Sequence, residues 1–534
     1  MGWRMRGAAA AAALPLLAGC FGAPSGDGAG SGDTAAQASP GPDPIPEDCE
    51  ADPAFPKREM RGAWLTTVRN IDWPSEAGLS AEEQREELRE RLDGARALGL
   101  NTVFLHIRPT ADAMYESELE PWARYLTGEQ GGDPGYDPLE FAVAEAHERG
   151  LELHGWFNPY RVGFADPDLE NLTDDHPARR NPEWLVEYGD EGYLDPGNPE
   201  VRAWVVDVVL DVVERYDIDG VHFDDYFYPY PAEGEEFDDD ASFEAHGGAE
   251  DRDSWRRRNI DTLIAEVHAG IGETKPWVRF GVSPFGIWRN DASDPEGSAT
   301  GGLQSYDAQY ADTRAWIREE TVDYIVPQLY WHRGFATADY EELVPWWSDQ
   351  VAGTGVDLYI GQAAYRVGED DWEGADALSR QLDFSRDRPE VTGDVYFSMK
   401  DLTGRASAAM DRLVEDHYPR PALPPQADGA EGVPDPVGEV TATRESDQVE
   451  LRWDEVDGAR SYAVYRVPGA GEDLCDLADA ENLVAVVGAG GDGPRTFTDT
   501  APADGEARYQ VTVLDAYRTE SAPGPASRVA GAGE

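Results

Sequence analysis

The chain is 534 residues long and carries 106 Asp and Glu against 44 Lys and Arg, a net charge of −62. That length exceeds one ordinary domain, and such a charge excludes nucleic-acid binding, which needs clustered cations at phosphates. With 40% apolar and 10% aromatic residues, and only three lysines (Lys57, Lys275, Lys400), the chain can still build cores, so its acids belong on the surface.

Residues 1–20 combine Arg4 and Arg6, an apolar run too short to span a bilayer, and the ending Leu17-Ala18-Gly19-Cys20. They predict a secretory signal. The ending looks like a bacterial lipobox, in which Cys20 becomes the lipidated first residue and anchors the exported protein to the outer face of the cell membrane. Residues 21–56, rich in Gly, Ala, Ser, Asp and Pro, read as a disordered tether. Cys49 and Cys475 are the remaining thiols. In an oxidising compartment they either pair, joining tether to C-terminal domain, or stay apart, because spacing alone does not bring them within bonding distance.

Residues 57–418 repeat a short apolar run, an aromatic-rich polar loop and an amphipathic stretch. The runs fall at 63–68, 102–107, 151–157, 218–223, 278–283, 323–329, 357–363 and 393–398. Ser80-Ala81-Glu82-Glu83 is a capping box opening a helix that ends near Gly99, Asp137-Pro138 starts one that stops at Gly150, and Asn198-Pro199 starts a third with Val201, Val205, Val208 and Val212 on one face. Eight such units predict a (β/α)8 TIM barrel. The alternative, an open doubly wound sheet, lacks a glycine-rich phosphate loop after the first strand. A Pro-rich linker follows at 419–433. Over 434–530 the pattern becomes period-two strands, 449–453, 462–466 and 509–513, and Trp453, Tyr462, Tyr465 and Tyr509 resemble a fibronectin type III sandwich.

A barrel places its chemistry at the C-terminal ends of its strands. There the sequence collects Asn70, Arg108, Trp156, Asn158, Tyr160, Arg161, Tyr226, Gln328, Tyr330 and Trp331, and 14 of the 16 Trp lie between Trp64 and Trp372. Aromatic faces with amides and guanidinium groups suit a carbohydrate. Asp224-Asp225, just past the fourth run, is the strongest chemical signal: repulsion and burial push one carboxyl up into the range of a general acid. By strand parity His222 points the same way as Asp224 and is positioned to hold the pair. Neither a cofactor nor a metal is called for. His106, His154 and His222 lack ligand spacing, and the acidic stretch 233–253 lacks that of a Ca²⁺ loop and reads as a solvated loop. Arg69, Arg108, Arg161 and Arg289 either fix a substrate carboxylate or pair with the protein's own acids.

Arg61-Gly62-Ala63-Trp64-Leu65-Thr66-Thr67, Asn70-Ile71-Asp72-Trp73-Pro74, Arg108-Pro109 with Asp112-Ala113, Trp156-Phe157-Asn158-Pro159-Tyr160-Arg161, Leu194-Asp195-Pro196-Gly197, Asp219-Gly220-Val221-His222-Phe223-Asp224-Asp225-Tyr226 and Pro327-Gln328-Leu329-Tyr330-Trp331 together resemble the glycosyl-hydrolase-like family 10 lipoproteins. The resemblance spans 57–418. It implies an exported bacterial (β/α)8 enzyme hydrolysing a glycan, with peptidoglycan strands as substrate; the family pattern more often has Gln where this chain has His106. A glycan-binding lipoprotein without turnover is the alternative from another class.

A retaining glycosidase of the usual kind needs two carboxylates about 5–5.5 Å apart, yet the sixth and seventh runs end without an acid. The adjacent Asp pair is instead similar to that of the O-GlcNAc hydrolases, which use the substrate's own acetamido group as nucleophile. That likeness implies Asp224 as the residue orienting the acetamido group, Asp225 as acid and base, and Tyr226 or Tyr330 as partner of the acetamido oxygen. A mechanism recruiting Asp195, Asp72 or Asp112 stays open.

Overall fold

The computed structural model describes residues 43–531 apart from 47, 48, 50, 165–168, 431, 470 and 492. The predicted signal, with Cys20 and most of the tether, lies outside the described residues. Eight parallel strands close into a barrel: β1 (Met60–Leu65), β2 (Thr102–Arg108), β3 (Glu152–Phe157), β4 (Gly220–Phe223), β5 (Arg279–Val282), β6 (Tyr324–Ile325), β7 (Asp357–Gln362) and β8 (Val391–Tyr396). Each overlaps one of the eight predicted runs, β1 and β8 beginning three and two residues earlier than expected. Their continuous burial reflects a parallel sheet covered on both faces. The sixth run shortens to two residues because Pro327 cannot donate to the ladder.

The predicted caps form. Ser80 accepts from Glu83 N while the Glu83 carboxylate accepts from Ser80 N, opening the helix Ala81–Ala97. Asp137 caps Pro138–Glu148, and Asn198 caps Pro199–Arg215, whose Val201, Val205, Val208 and Val212 are buried. Between β3 and β4 lies an insertion that periodicity did not reveal, a three-stranded antiparallel sheet of Arg161–Gly163, Glu191–Leu194 and Leu185–Tyr188.

The C-terminal strands make a sandwich of a three-stranded sheet (Thr441–Glu445, Gln448–Trp453, Arg495–Asp499) and a four-stranded sheet (Leu483–Gly488, Ser461–Pro468, Ala507–Leu514, Ser527–Val529). Gln448–Trp453 alternates exposed and buried, as predicted. Ser461–Pro468 and Ala507–Leu514 do not: they are buried almost throughout, because their second face packs with Leu423, Leu477, Leu483 and Ile45. The linker 419–433 is therefore not a free spacer. Leu423 is buried, and its carbonyl accepts from Glu59 N beside β1. The described end of the predicted tether is likewise held, with Cys49 joined to Cys475 by a disulfide at a Cα–Cα distance of 5.2 Å. Among the described residues, no helix is long and apolar enough to cross a membrane.

Candidate active site

A cavity of about 360 Å³ opens at the C-terminal ends of the barrel strands. Asp224 and Asp225 follow β4 and lie buried in its wall. Asp224 is held by neighbours from β3 and the turn beyond it: its Oδ2 accepts from Trp156 Nε1 and from Asn158 Nδ2, each at 3.2 Å, and its Oδ1 from Tyr226 N at 3.2 Å. Asp225 faces the other side. Its Oδ1 accepts from Gln328 Nε2 at 3.0 Å, its Oδ2 from the Tyr230 hydroxyl, and its carbonyl from Gln309 Nε2 at 3.1 Å. Burial raises both carboxyls, and for Asp224, pushed up to about 7, the charge of Asp225 adds to burial. Both carboxyls therefore hold a proton to higher pH than an ordinary carboxyl does.

Arg161 enters the same wall from the inserted sheet. Its guanidinium lies 3.9 Å from the Tyr226 ring centroid and 4.1 Å from that of Phe164, and Nη2 donates to the Tyr193 hydroxyl at 3.2 Å. Its Nε is buried without a partner. His106, from β2, stacks on Trp156 with ring centroids 3.9 Å apart, and neither of its nitrogens has a partner. Burial, with Arg161 adding to it, lowers His106 to about 3, so the imidazole is neutral, with one donor and one acceptor left unpaired.

Of the residues predicted for the site, Trp156, Asn158, Arg161, Asp224, Asp225, Tyr226, Gln328 and Tyr330 line the cavity. Five others do not, each for a visible reason. Asn70 donates to the carbonyls of Pro74 and Tyr125. Arg108 forms a fully buried ion pair with Glu120 and donates to the carbonyls of Asn158 and Pro159, so it braces the turn that carries Asn158. Tyr160 is buried in the core behind that turn. Trp331 packs edge-on against Phe285. His222 lies deeper than the pair. It bonds Trp64 and Ser283, not Asp224, and reaches Asp225 only through the Gln328 amide that Ser283 O also accepts.

The other acids considered are engaged elsewhere. Asp72 accepts from Thr66 N, Ser398 Oγ and Lys400 N, Asp112 from Thr110 and Gln130, and Asp195 from Gly197 N and Ser242. Arg289 pairs with Asp294 and Asp307, whereas Arg69 lines the cavity, 4.4 Å from the Phe164 ring centroid. In the stretch 233–253, Asp239, Asp240 and Glu250 are each matched by Arg252, Arg256 or Arg258. Trp64, Tyr230 and Phe397 line the cavity without having been singled out. The aromatic run following Asp225 was the available signal for Tyr230.

Residues 59–376 match the family described as glycosyl hydrolase-like 10. The glycosyl hydrolase YngK of Bacillus subtilis (strain 168) is 48% identical over 375 residues, which cover 69% of this chain and 74% of that protein. The glycosyl hydrolase DigH of Escherichia coli (strain K12) is 42% identical over 362 residues, covering 63% of this chain and 82% of that protein.

Proposed function

The chain belongs to the glycosyl hydrolase-like 10 family, and from that premise we propose that it hydrolyses O-glycosidic bonds of an N-acetylhexosamine-containing envelope glycan, peptidoglycan strands, by a substrate-assisted retaining mechanism. The observation that carries the mechanism is that, among the described residues, Asp224 and Asp225 are the only carboxylates in the cavity wall. With no further carboxylate among the described residues of that wall to act as nucleophile, the acetamido oxygen of the substrate attacks the anomeric carbon. Asp224 accepts the acetamido N–H. That hydrogen bond favours its ionised form and leaves Asp225, raised by burial, to carry the proton that is delivered to the departing glycosidic oxygen. Asp225 then takes a proton from the water that opens the cyclic intermediate, and the anomeric configuration is retained. Tyr226 or Tyr330 bonds the acetamido oxygen, Trp64 and Trp156 supply apolar wall, and Arg161 is the cation for a substrate carboxylate such as the lactyl group of N-acetylmuramic acid.

Export and lipidation at Cys20 belong to the same proposal and agree with the Cys49–Cys475 disulfide, a bond of oxidising compartments. The sandwich, read as a fibronectin type III module, adds no group to the cavity wall among the described residues. The test is reducing-end release from peptidoglycan with and without stem peptides, in the presence of a thiazoline that mimics the cyclic intermediate. Release that the thiazoline blocks is expected. Release insensitive to it overturns substrate assistance, and binding of strands without any release identifies a glycan-binding protein.

A further inference from the structure

Inside the barrel a ladder of hydrogen-bonded rings runs from the floor to the cavity. At the floor, Glu152 of β3 and Asp219, one residue before β4, both accept from the guanidinium of Arg518, a residue of the sandwich. Arg518 is 3% exposed, and its Nη1 also donates to the carbonyls of Asp515 and Ala516 in its own turn. The other oxygen of Glu152 lies 3.3 Å from His154 Nε2, and His154 Nδ1 lies 2.9 Å from the Tyr324 hydroxyl. That hydroxyl is 3.3 Å from His222 Nδ1, while His222 Nε2 meets Trp64 Nε1 at 3.1 Å and Ser283 Oγ at 2.9 Å. Gln328 Nε2 then donates to both Ser283 O, at 2.9 Å, and Asp225 Oδ1, at 3.0 Å. The rings approach because two strands carry glycine where they cross: a Cβ on Gly220 would stand 2.4 Å from His154 Nδ1, and one on Gly281 2.2 Å from the Tyr324 ring.

The ladder has a direction. An indole N–H can only donate, so His222 Nε2 accepts from Trp64, and the single proton of the neutral ring sits on Nδ1, toward the Tyr324 oxygen. The Tyr324 proton is then free for His154 Nδ1, and His154 Nε2–H points at Glu152. From Trp64 down to Glu152 the protons lean toward the floor and end on a carboxylate, with Val221 O, 3.3 Å from the Tyr324 hydroxyl, a longer second acceptor for that proton than His154 Nδ1 at 2.9 Å. Burial disfavours the Glu152 charge, but Arg518, with His154 assisting, holds this carboxyl below its ordinary range.

We propose that Arg518 is a positioning residue for the active site: by anchoring Glu152 it sets the tautomer of His154 and so the Tyr324 hydroxyl that holds the His222 ring, and through that ring the placement of Trp64, Ser283 and Gln328 around Asp225. The sandwich thereby completes the catalytic barrel from below. The kinetic part rests on the function proposed above; the tautomer part does not.

The experiment uses the full chain with ¹⁵N-labelled histidine and compares wild type with Arg518→Met, Arg518→Lys and Tyr324→Phe. Tyr324→Phe cuts the ladder at mid-height while keeping the ring volume, so a readable variant remains if Arg518→Met does not fold. Lys57→Met removes a different ion pair between barrel and sandwich, Lys57–Glu520 at 2.7 Å, and serves as control. Expected are a His154 ring protonated at Nε2 in wild type, loss of that signal in Arg518→Met and Tyr324→Phe, and kcat lowered about tenfold or more in both with KM little changed. Arg518→Lys restores signal and rate, and Lys57→Met alters neither. Unchanged imidazole signals in folded Arg518→Met or Tyr324→Phe overturn the ladder whatever the activity. Altered signals with a wild-type kcat overturn its link to Asp225. If wild type itself turns nothing over, the function proposal fails and the imidazole signals still decide the ladder.

Discussion

Asp225→Asn removes the proton carrier at constant side-chain volume. Asp225 accepts one hydrogen bond on each oxygen, from Gln328 at 3.0 Å and from Tyr230. The amide keeps an acceptor for one donor and turns its NH₂ toward the other, so the structural cost is one hydrogen bond, about 1–2 kcal/mol. A barrel of this size survives that. The chemical cost is larger, because general acid and base assistance is worth about 10²–10⁴ in rate, or about 2.7–5.5 kcal/mol. The loss should depend on the leaving group. Unactivated glycan strands need the proton and lose the full factor, whereas an aryl glycoside of an acidic phenol departs unaided, and its first step is spared. The pH dependence moves as well. In the working form Asp225 is neutral, so the neutral amide leaves the acidic limb, set by ionisation of Asp224, in place and abolishes the basic limb, set by loss of the Asp225 proton. The assay is reducing-end release from glycan strands beside phenol release from the aryl glycoside, each against pH. A variant within about threefold of wild type on the strands would refute the acid/base assignment, since assistance that small lies below the range such groups supply.

Arg108→Met leaves Glu120 buried without its cation, and unfolding in denaturant should show a loss of about 3–5 kcal/mol; a loss below about 1 kcal/mol would contradict a buried pair. Asp394, on β8, is pushed up to about 7 by burial, above its unfolded value, so the folded chain holds an extra proton between about pH 4 and 7 and loses stability as pH rises through that window. Asp394→Asn, which keeps the acceptor for Gln362 at 2.7 Å, should therefore melt above wild type at about pH 8 and level with it at about pH 4, and an equal difference at both would count against the assignment. Peptide mapping without reductant should recover Cys49 and Cys475 in one cross-linked fragment; two free thiols would dismiss the bond.

Local patterns carried much of the architecture. Capping at Ser80, Asp137 and Asn198 depends on residues within one turn, and the burial of the eight barrel strands is written in their apolar runs, so both were legible. The Asp224-Asp225 pair was legible too, because its chemistry comes from adjacency. What the sequence could not decide is which partner each long polar side chain finds. Arg108 and Arg161 looked alike at strand ends, yet Glu120 closes on the first, while an inserted sheet carries the second into the cavity with its Nε unpartnered. Parity correctly turned His222 inward but could not say that Trp64, Ser283 and Tyr324, brought from other strands by barrel closure, would take its nitrogens and leave none for Asp224. The sandwich strands read as half-buried because alternation reports one packed face; the docking that buries the other face, and sends Arg518 into the barrel floor, exists only in three dimensions. Spacing along the chain determines periodicity and caps, while a buried polar group is satisfied by whatever closure brings within about 3 Å, and only the tertiary structure determines that.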